Sequence, residues 1–293
     1  MRRLLNKRPA ALMVDLDGTL VGKGSVSPRV AKAISQVSAY LPVSIATGRE
    51  AADALQFAHQ LNLTAPQICD GGATALNPVN GRAIWTSALP EECAETIVTT
   101  LNRLKTPFMA THPSGSFTKL ADIRDWGLIR ISAMDIDKAS ADRLATLFCG
   151  DPALNVVKVF LHYNDLWAVD FTPVGVDKGT AAQKLADMMG IEVCQLLGAG
   201  DSYNDLPMLK ACGLSIAMGG APPEVKAVAD YIAPTVEEDG LAVAIEEVVL
   251  PLLRAKSCHR VIQMWGSYPG ETPLTGSEPA SYDFCVMSPK EPD

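Results

Sequence analysis

The sequence lacks the cysteine pairs that hold a zinc ion or form a redox centre. Its seven cysteines are scattered, with no Cys-x-x-Cys pair and no zinc-ligand spacing. Scattered cysteines of this kind are typical of reduced thiols in the cytosol. We therefore expect a cytoplasmic protein.

Long apolar runs are also missing. No segment approaches the roughly 18 unbroken apolar residues that a membrane span requires. The apolar run at residues 10–14 ends at Asp15, which makes it too short for the hydrophobic region of a signal peptide. The sequence thus predicts a soluble chain with no membrane partner.

Basic residues are fewer than acidic ones. The chain has 25 Lys and Arg against 33 Asp and Glu, a formal net charge of −8, and no basic stripe. This balance disfavours a nucleic-acid partner. An anionic small substrate would need local cations or a metal ion, because the overall field of the protein does not attract it.

The chain length and the apolar pattern indicate two domains. At about 150 residues per domain, 293 residues are enough for two. Apolar strands alternate with amphipathic helices in residues 1–79 and again in 173–256, which is typical of a doubly wound parallel sheet. Residues 80–172 carry shorter, mixed elements, so we expect an inserted α+β domain there.

Residues 257–293 fit neither pattern. They contain five prolines and no sustained periodicity, which predicts a disordered tail. Four aromatic residues in this stretch leave open an ordered arm that packs on the body of the protein.

Polar residues stand where the predicted strands end. Asp15 and Asp17 follow the first apolar strand, Thr47 and Gly48 follow the second, and Asp201 follows the strand at residues 193–199. The carboxyl ends of parallel strands meet at one edge of a sheet, which is where ligands bind. Two carboxylates there can hold a hard cation and leave one oxygen free to react.

Four motifs in this order resemble those of the haloacid dehalogenase-like superfamily, most closely its Cof-type phosphatases. They read VDLDGTL at residues 14–20, IATGR at 45–49, KG at 178–179 and GDSYNDLPML at 200–209. The resemblance covers about residues 10–79 and 173–250. It implies an α/β, Rossmann-like core, with residues 80–172 as a mobile cap domain inserted between the second and third motifs.

The resemblance also implies roles for individual residues. Asp15 would be the nucleophile that forms an aspartyl-phosphate, and Asp17 would protonate the leaving alcohol and then activate water. The implied catalytic residues are Asp15, Asp17, Thr47 and Lys178. The implied substrate-binding residues are Thr47, Gly48, Lys178 and Asn204. The implied Mg²⁺ ligands are Asp15, Asp17 through its backbone carbonyl, Asp201 and, directly or through its neighbours, Asp205.

We therefore expect a Mg²⁺-dependent phosphomonoester hydrolase that acts on a small phosphorylated metabolite, with a sugar phosphate as the favoured substrate. A phosphomutase or phosphotransferase and a catalytically silent phospholigand-binding protein remain alternatives. The chain is expected to be a monomer or a homodimer. Arg49 is equally well interpreted as a surface ion-pair partner and stays outside the catalytic set.

Two stretches depart from the family pattern. In the fourth motif, Ser202-Tyr203 stands where a small residue followed by a variable one is common. Relatives often read Asn-Gly-Ala after the third strand, whereas this chain reads Gly71-Gly72-Ala73 after Asp70. The turn is preserved but an amide side chain is lost, so a substrate contact at this point is in doubt.

Overall fold

A computed structural model describes residues 8–161 and 164–254 of the chain. These residues fall in one compact unit and form two β-sheets with helices packed against them. The predicted tail, residues 257–293, lies outside the described residues. Among the described residues, no helix is long and apolar enough to cross a membrane.

The larger sheet has eight strands. In chain order they are β1 (Ala11–Asp15), β2 (Val43–Ala46), β3 (Gln67–Cys69), β4 (Thr74–Leu76), β5 (Ala83–Thr86), β11 (Leu196–Gly200), β12 (Leu214–Ala217) and β13 (Tyr231–Ile232). Their order in the sheet is β13-β12-β11-β1-β2-β3-β4-β5. The six strands from β13 to β3 pair in parallel, which confirms the predicted parallel core.

The smaller sheet is antiparallel and belongs to the predicted cap. Its strands are β6 (Phe108–His112), β7 (Gly115–Phe117), β8 (Arg130–Ile136), β9 (Leu154–Leu161) and β10 (Leu166–Pro173), in the order β7-β6-β8-β10-β9. Two helices, α3 (Glu91–Arg103) and α4 (Lys138–Phe148), share its hydrophobic core. The predicted α/β fold with an α+β insert is thus confirmed.

The remaining helices belong to the core. They are α1 (Pro28–Ser38), α2 (Ala51–Gln60), α5 (Lys178–Met189), α6 (Leu206–Ala211), α7 (Pro223–Lys226), α8 (Gly240–Ala244) and α9 (Leu250–Arg254), with a π-helical stretch, Ile245–Val249, between the last two.

Helices cover both faces of the larger sheet. Alternate residues of its central strand, β1, face opposite sides and pack against different helices. Leu12 and Val14 of β1 share one hydrophobic cluster with α1. Ala11 and Met13 share another with α5. All five residues of β1 are buried, as expected for a parallel strand covered on both sides.

The edge of the larger sheet differs from the sequence prediction. β5 pairs antiparallel with β4, and β4 pairs antiparallel with β3, so residues 83–86 extend the core sheet, whereas the sequence pattern predicts them to be part of the insert. The reason is local, since the turn at Asp70–Gly72 reverses the chain into a hairpin instead of a crossover helix. The division of the chain into core and cap at residues 79 and 173 stays a prediction.

Candidate active site

The sheet register brings the motifs to one edge. Asp15 is the last residue of β1 and pairs with Ala46, which directly precedes Thr47. On the other side, Val14 pairs with Ala199 of β11, so Asp201 emerges beside Asp15. The ends of three neighbouring parallel strands therefore carry three of the predicted site residues.

Lys178 reaches this edge from the first turn of α5. The Asp177 carboxylate accepts hydrogen bonds from the Gly179 and Thr180 amides, each at 2.8 Å, and so fixes where the helix begins. Gly179 is tightly enclosed, because a Cβ there would lie 2.7 Å from Pro207. The start of α5 is thereby held close to the segment that carries the fourth motif.

The Lys178 ammonium is buried between two carboxylates. Its Nζ donates to Asp15 Oδ1 and, at 2.7 Å, to Asp205 Oδ1. Burial disfavours the charged ammonium, but the charges of Asp15 and Asp205 outweigh burial and raise the pKa of Lys178 above its usual value. The side chain is 1% exposed and stays protonated at neutral pH.

Asp205 organises the loop after β11. While Oδ1 accepts from Lys178, Oδ2 accepts from the backbone amides of Asp201 and Ser202, each at 3.0 Å. Both carboxylate oxygens are therefore engaged with protein donors. Asp205 holds the lysine and the Asp201 backbone in one arrangement.

Gly18 is required by the position of Asp201. It adopts a left-handed conformation with φ of +81°, and a Cβ at this position would collide with the Asp201 carboxylate. The Asp201 side chain therefore lies directly against the backbone that follows Asp17.

Three carboxylates form a cluster suited to a divalent cation. One oxygen each from Asp15, Asp201 and Asp205 lies within 4.8 Å of the others. Burial raises the pKa of Asp15 well above 3.8, and the neighbouring Asp205 and Asp201 add to the effect against the pull of Lys178. Burial and Asp205 raise the pKa of Asp201 to about 6. Hard oxygen donors with excess negative charge fit a cation such as Mg²⁺.

Thr47 and Gly48 form a short loop beside the cluster. The Thr47 hydroxyl oxygen accepts a hydrogen bond from the Arg49 amide at 3.0 Å, and the Gly48 carbonyl accepts one from Nη1 of Arg130. Arg130 belongs to β8 of the cap sheet, so a cap residue fixes a loop of the core. Space beside the Gly48 α-carbon is open to 4 Å.

The Asp17 carboxylate points to a different partner from that of Asp15. Arg49 binds it with two nitrogens, Nε to Oδ2 at 2.8 Å and Nη2 to Oδ1 at 2.5 Å. Asn204 is exposed and accepts a hydrogen bond from the Ser202 hydroxyl at 2.7 Å. The structure thus joins Asp15, Lys178, Asp201 and Asp205 by contact, and places Asp17 with Arg49.

Two residues of the site were not in the predicted set. Arg49 had a sequence signal, because it directly follows the Thr-Gly pair of the second motif. Arg130 had none, since it lies in β8, 82 positions from Gly48 in the sequence.

Comparison with known proteins finds relatives and solved structures that match most of the chain. A phosphoglycolate phosphatase of Methanosarcina mazei is 27% identical over 237 residues, covering 80% of this chain and 95% of the relative. A solved structure of a sugar phosphatase of haloacid dehalogenase subclass IIB superimposes with a TM-score of 0.69 at 22% identity. The superposition covers 83% of this chain and 99% of that one.

Shorter matches are more similar in sequence. The 5-amino-6-(5-phospho-D-ribitylamino)uracil phosphatase of Bacillus subtilis is 40% identical over 82 residues, or 28% of this chain and 33% of the relative. In four curated relatives that are 32 to 44% identical, the matched stretch spans only 27 to 42% of the relative's length.

A family model settles the classification. The model of the haloacid dehalogenase-like hydrolases matches residues 12–121 and 138–245, which is most of the chain and includes all four motifs. The predicted resemblance to this family and its Cof-type phosphatases is confirmed, and the matches support the prediction of an enzyme. The chain belongs to the haloacid dehalogenase-like hydrolases.

Proposed function

We propose that the protein is a Mg²⁺-dependent phosphomonoester hydrolase that forms an aspartyl-phosphate at Asp15. The observation that carries the proposal is the contact set around Asp15. Its buried carboxylate receives a hydrogen bond from Lys178 and lies within 4.8 Å of carboxylate oxygens of Asp201 and Asp205. A nucleophile, a fixed positive charge and an acidic metal cluster therefore meet at one strand end.

In the first step a carboxylate oxygen of Asp15 attacks phosphorus. A new bond forms between phosphorus and that oxygen while the bond from phosphorus to the leaving oxygen breaks. The protonated Asp17 carboxyl gives its proton to the leaving oxygen, so the product is a neutral alcohol.

In the second step water attacks the aspartyl-phosphate. Asp17, now a carboxylate, takes a proton from the water as its oxygen bonds to phosphorus, and the bond to Asp15 breaks. Inorganic phosphate leaves, and both aspartates return to their starting states. Asp17 thus serves once as acid and once as base in each cycle.

Phosphate esters are anionic, so the site must offset charge before a carboxylate can attack. Lys178 supplies one fixed positive charge next to Asp15. Asp15, the Asp17 backbone carbonyl and Asp201 would hold Mg²⁺, which supplies charge neutralisation of the phosphoryl oxygens. Asp205 holds two members of the site in place, because it accepts hydrogen bonds from the Lys178 ammonium and from the Asp201 backbone amide.

Donors for the phosphoryl group complete the proposal. The Thr47 hydroxyl and the Gly48 amide stand beside Asp15 at the end of β2, where they can hydrogen-bond phosphoryl oxygens. We assign Asn204 to the same task from the other side of the site. These donors contact only the phosphoryl group, so they do not discriminate between substrates with different alcohols.

The substrate we propose is a small phosphorylated metabolite, with a sugar phosphate favoured. Support comes from relatives named for phosphoglycolate and a ribityl phosphate, and from the sugar phosphatase that shares the fold. Transfer of the phosphoryl group to a sugar hydroxyl uses the same nucleophile, so a phosphotransferase is the second candidate. A silent binding protein is disfavoured because the contact set of Asp15 is complete.

The cellular setting remains part of the proposal. We propose a cytoplasmic monomer or homodimer without nucleic-acid or membrane partners. Two observations support this setting: the net charge of −8, and the lack of disulfides among the cysteines of the described residues, which are Cys69, Cys93, Cys149, Cys194 and Cys212.

A panel of phosphorylated metabolites, assayed with and without Mg²⁺, tests the proposed function. We expect stoichiometric release of inorganic phosphate and alcohol from at least one sugar phosphate, and no release after chelation. Isomerised sugar phosphate without phosphate release would indicate a mutase. No turnover of any member, with Mg²⁺ present, would contradict the proposal.

Mg²⁺ affinity is expected to fall in acid. Because the pKa of Asp201 is about 6 rather than 3.8, the metal-free folded protein holds more protons than the unfolded chain between these values. The stability of the metal-free protein therefore falls as the pH rises from 3.8 to about 6. Above this range, a bound cation offsets the cost of keeping the Asp201 carboxylate ionised. Calorimetric titration should show proton release on Mg²⁺ binding near pH 6, and an affinity about fivefold weaker at pH 5 than at pH 6. Affinity that does not change over this range would contradict the assigned ligand.

A further inference from the structure

Arg49 is fixed more firmly than an ordinary surface arginine. Its amide donates to the Thr47 hydroxyl at 3.0 Å, and its carbonyl accepts from the Asp70 amide at 2.9 Å. Its guanidinium lies 5.7 Å from the centre of the Phe57 ring, and Nη1 lies 3.6 Å from Asp53 Oδ2. Backbone, ring and carboxylate contacts therefore all orient this side chain.

The remaining nitrogens of Arg49 face the Asp17 carboxylate. Nε and Nη2 contact the two oxygens in a side-by-side arrangement, which fixes the plane of the carboxylate as well as its distance. The Asp17 side chain is 54% exposed, so packing alone does not set its orientation. Arg49 supplies the constraint that burial does not.

We propose that Arg49 is a positioning residue that fixes the plane of the Asp17 carboxyl group and leaves the second lone pair of each oxygen to hold or accept the transferred proton. This inference rests on the proposed function, in which Asp17 is the acid and base. Arg49 contacts Asp17 directly. It acts through Asp17, and it links that residue to the loop of Thr47 and Gly48, which binds the phosphoryl group.

The chain contains a matched ion pair for comparison. Arg29 also contacts a carboxylate with Nε and Nη2, at 3.4 and 2.7 Å from the two Glu246 oxygens. Side-chain exposure is similar, 46% for Arg29 and 34% for Arg49. Arg29 contacts none of the proposed catalytic residues, so its removal controls for the general effect of losing an exposed ion pair.

The test compares two esters that differ in their need for an acid. p-Nitrophenolate leaves without protonation, whereas a sugar alkoxide must be protonated as it leaves. We expect Arg49→Gln to lower kcat/KM by about 10- to 100-fold for the best sugar phosphate of the panel, and by less than about threefold for p-nitrophenyl phosphate. Arg29→Gln should change neither value by more than about twofold.

Two further variants keep the test decisive. Arg49→Lys retains the charge but loses the two-pronged contact, so its effect should fall between wild type and Arg49→Gln. In an Asp17→Asn background, Arg49→Gln should lower kcat/KM for the sugar phosphate no further, because the residue it acts through is already gone. Thermal unfolding of each variant identifies any that do not fold, in which case Arg49→Lys decides.

The outcomes separate this inference from the proposed function. Equal losses on both esters would mean that Arg49 binds phosphate or serves the fold, and unchanged values on both would mean an idle ion pair. Either result overturns the positioning role. A wild-type protein that hydrolyses neither ester overturns the proposed function itself, and the positioning role falls with it.

Discussion

Asp15→Asn is expected to abolish turnover while the protein stays folded. The amide oxygen that replaces the carboxylate is a poor nucleophile, so phosphate release should fall by about 10⁴-fold or more. The fold should survive because Lys178 keeps Asp205 as a charged partner at 2.7 Å. The substitution also removes one of three clustered carboxylates, so the thermal midpoint of the metal-free variant should not fall below that of wild type.

Steady-state phosphate release and thermal unfolding measure the two effects separately. Asp142→Asn is the matched control, since Asp142 pairs with Lys158 on the exposed face of the cap and should leave activity unchanged. Mg²⁺-dependent hydrolysis by Asp15→Asn near the wild-type rate would show that another group attacks phosphorus.

Lys178→Met is expected to impair both activity and stability. The variant keeps three clustered carboxylates but lacks the ammonium that contacts two of them. Its free energy of unfolding should therefore be lower by about 3–5 kcal/mol. Turnover should fall by about 10³-fold, because the positive charge beside the nucleophile is gone.

The stability loss has a definite pH dependence. The pKa of Lys178 is raised above its usual 10.5, so the contribution of its charge is fully present at neutral pH and is lost only as the pH rises through the raised value. In acid the difference between wild type and variant should shrink as Asp15 and Asp201 take up protons, since their pKa values are already raised.

Urea unfolding at pH 5 and pH 8 measures this difference. Lys158→Met, which removes an exposed lysine paired with Asp142, should unfold like wild type at both values. An unfolding free energy of Lys178→Met equal to that of wild type at pH 8 would contradict the buried ion-pair cluster.

The core of the site was predictable because it depends on strand ends. Asp15, Thr47 and Asp201 each follow a short apolar run, and parallel strands deliver such residues to one edge. Lys178 was predictable from the motif order, and the preceding Asp177 places it in the first turn of a helix. In each case a local pattern fixes the position of the backbone.

The partners of these residues were not predictable, because they depend on distances between elements. The sequence alone leaves Asp205 as a metal ligand or a helix cap, whereas its two oxygens bind Lys178 and the amides of the 201–202 turn. Arg130 follows the alternation of β8, but alternation specifies only a face of the strand. It does not reveal that this face meets the Gly48 carbonyl.

The antiparallel extension of the core sheet could not be predicted from the sequence either. β3 and β4 have three residues each, which is too short for a period of two to be distinguished from chance. Asp70 and Gly71 both adopt positive φ, of 53° and 68°, and turn the chain back on itself. The Gly-Gly pair predicted a turn but not which strand would follow it.

Trapping the phosphorylated enzyme tests the central claim most directly. Wild type and Asp17→Asn are mixed with Mg²⁺ and p-nitrophenyl phosphate, whose leaving group needs no acid, then quenched in acid within the first turnover, digested and analysed by mass spectrometry. We predict one added phosphoryl group on the peptide that contains Asp15, more of it in Asp17→Asn than in wild type, and none in Asp15→Asn. Phosphate release without any phosphorylation of Asp15, or phosphorylation of a different residue, would contradict the account.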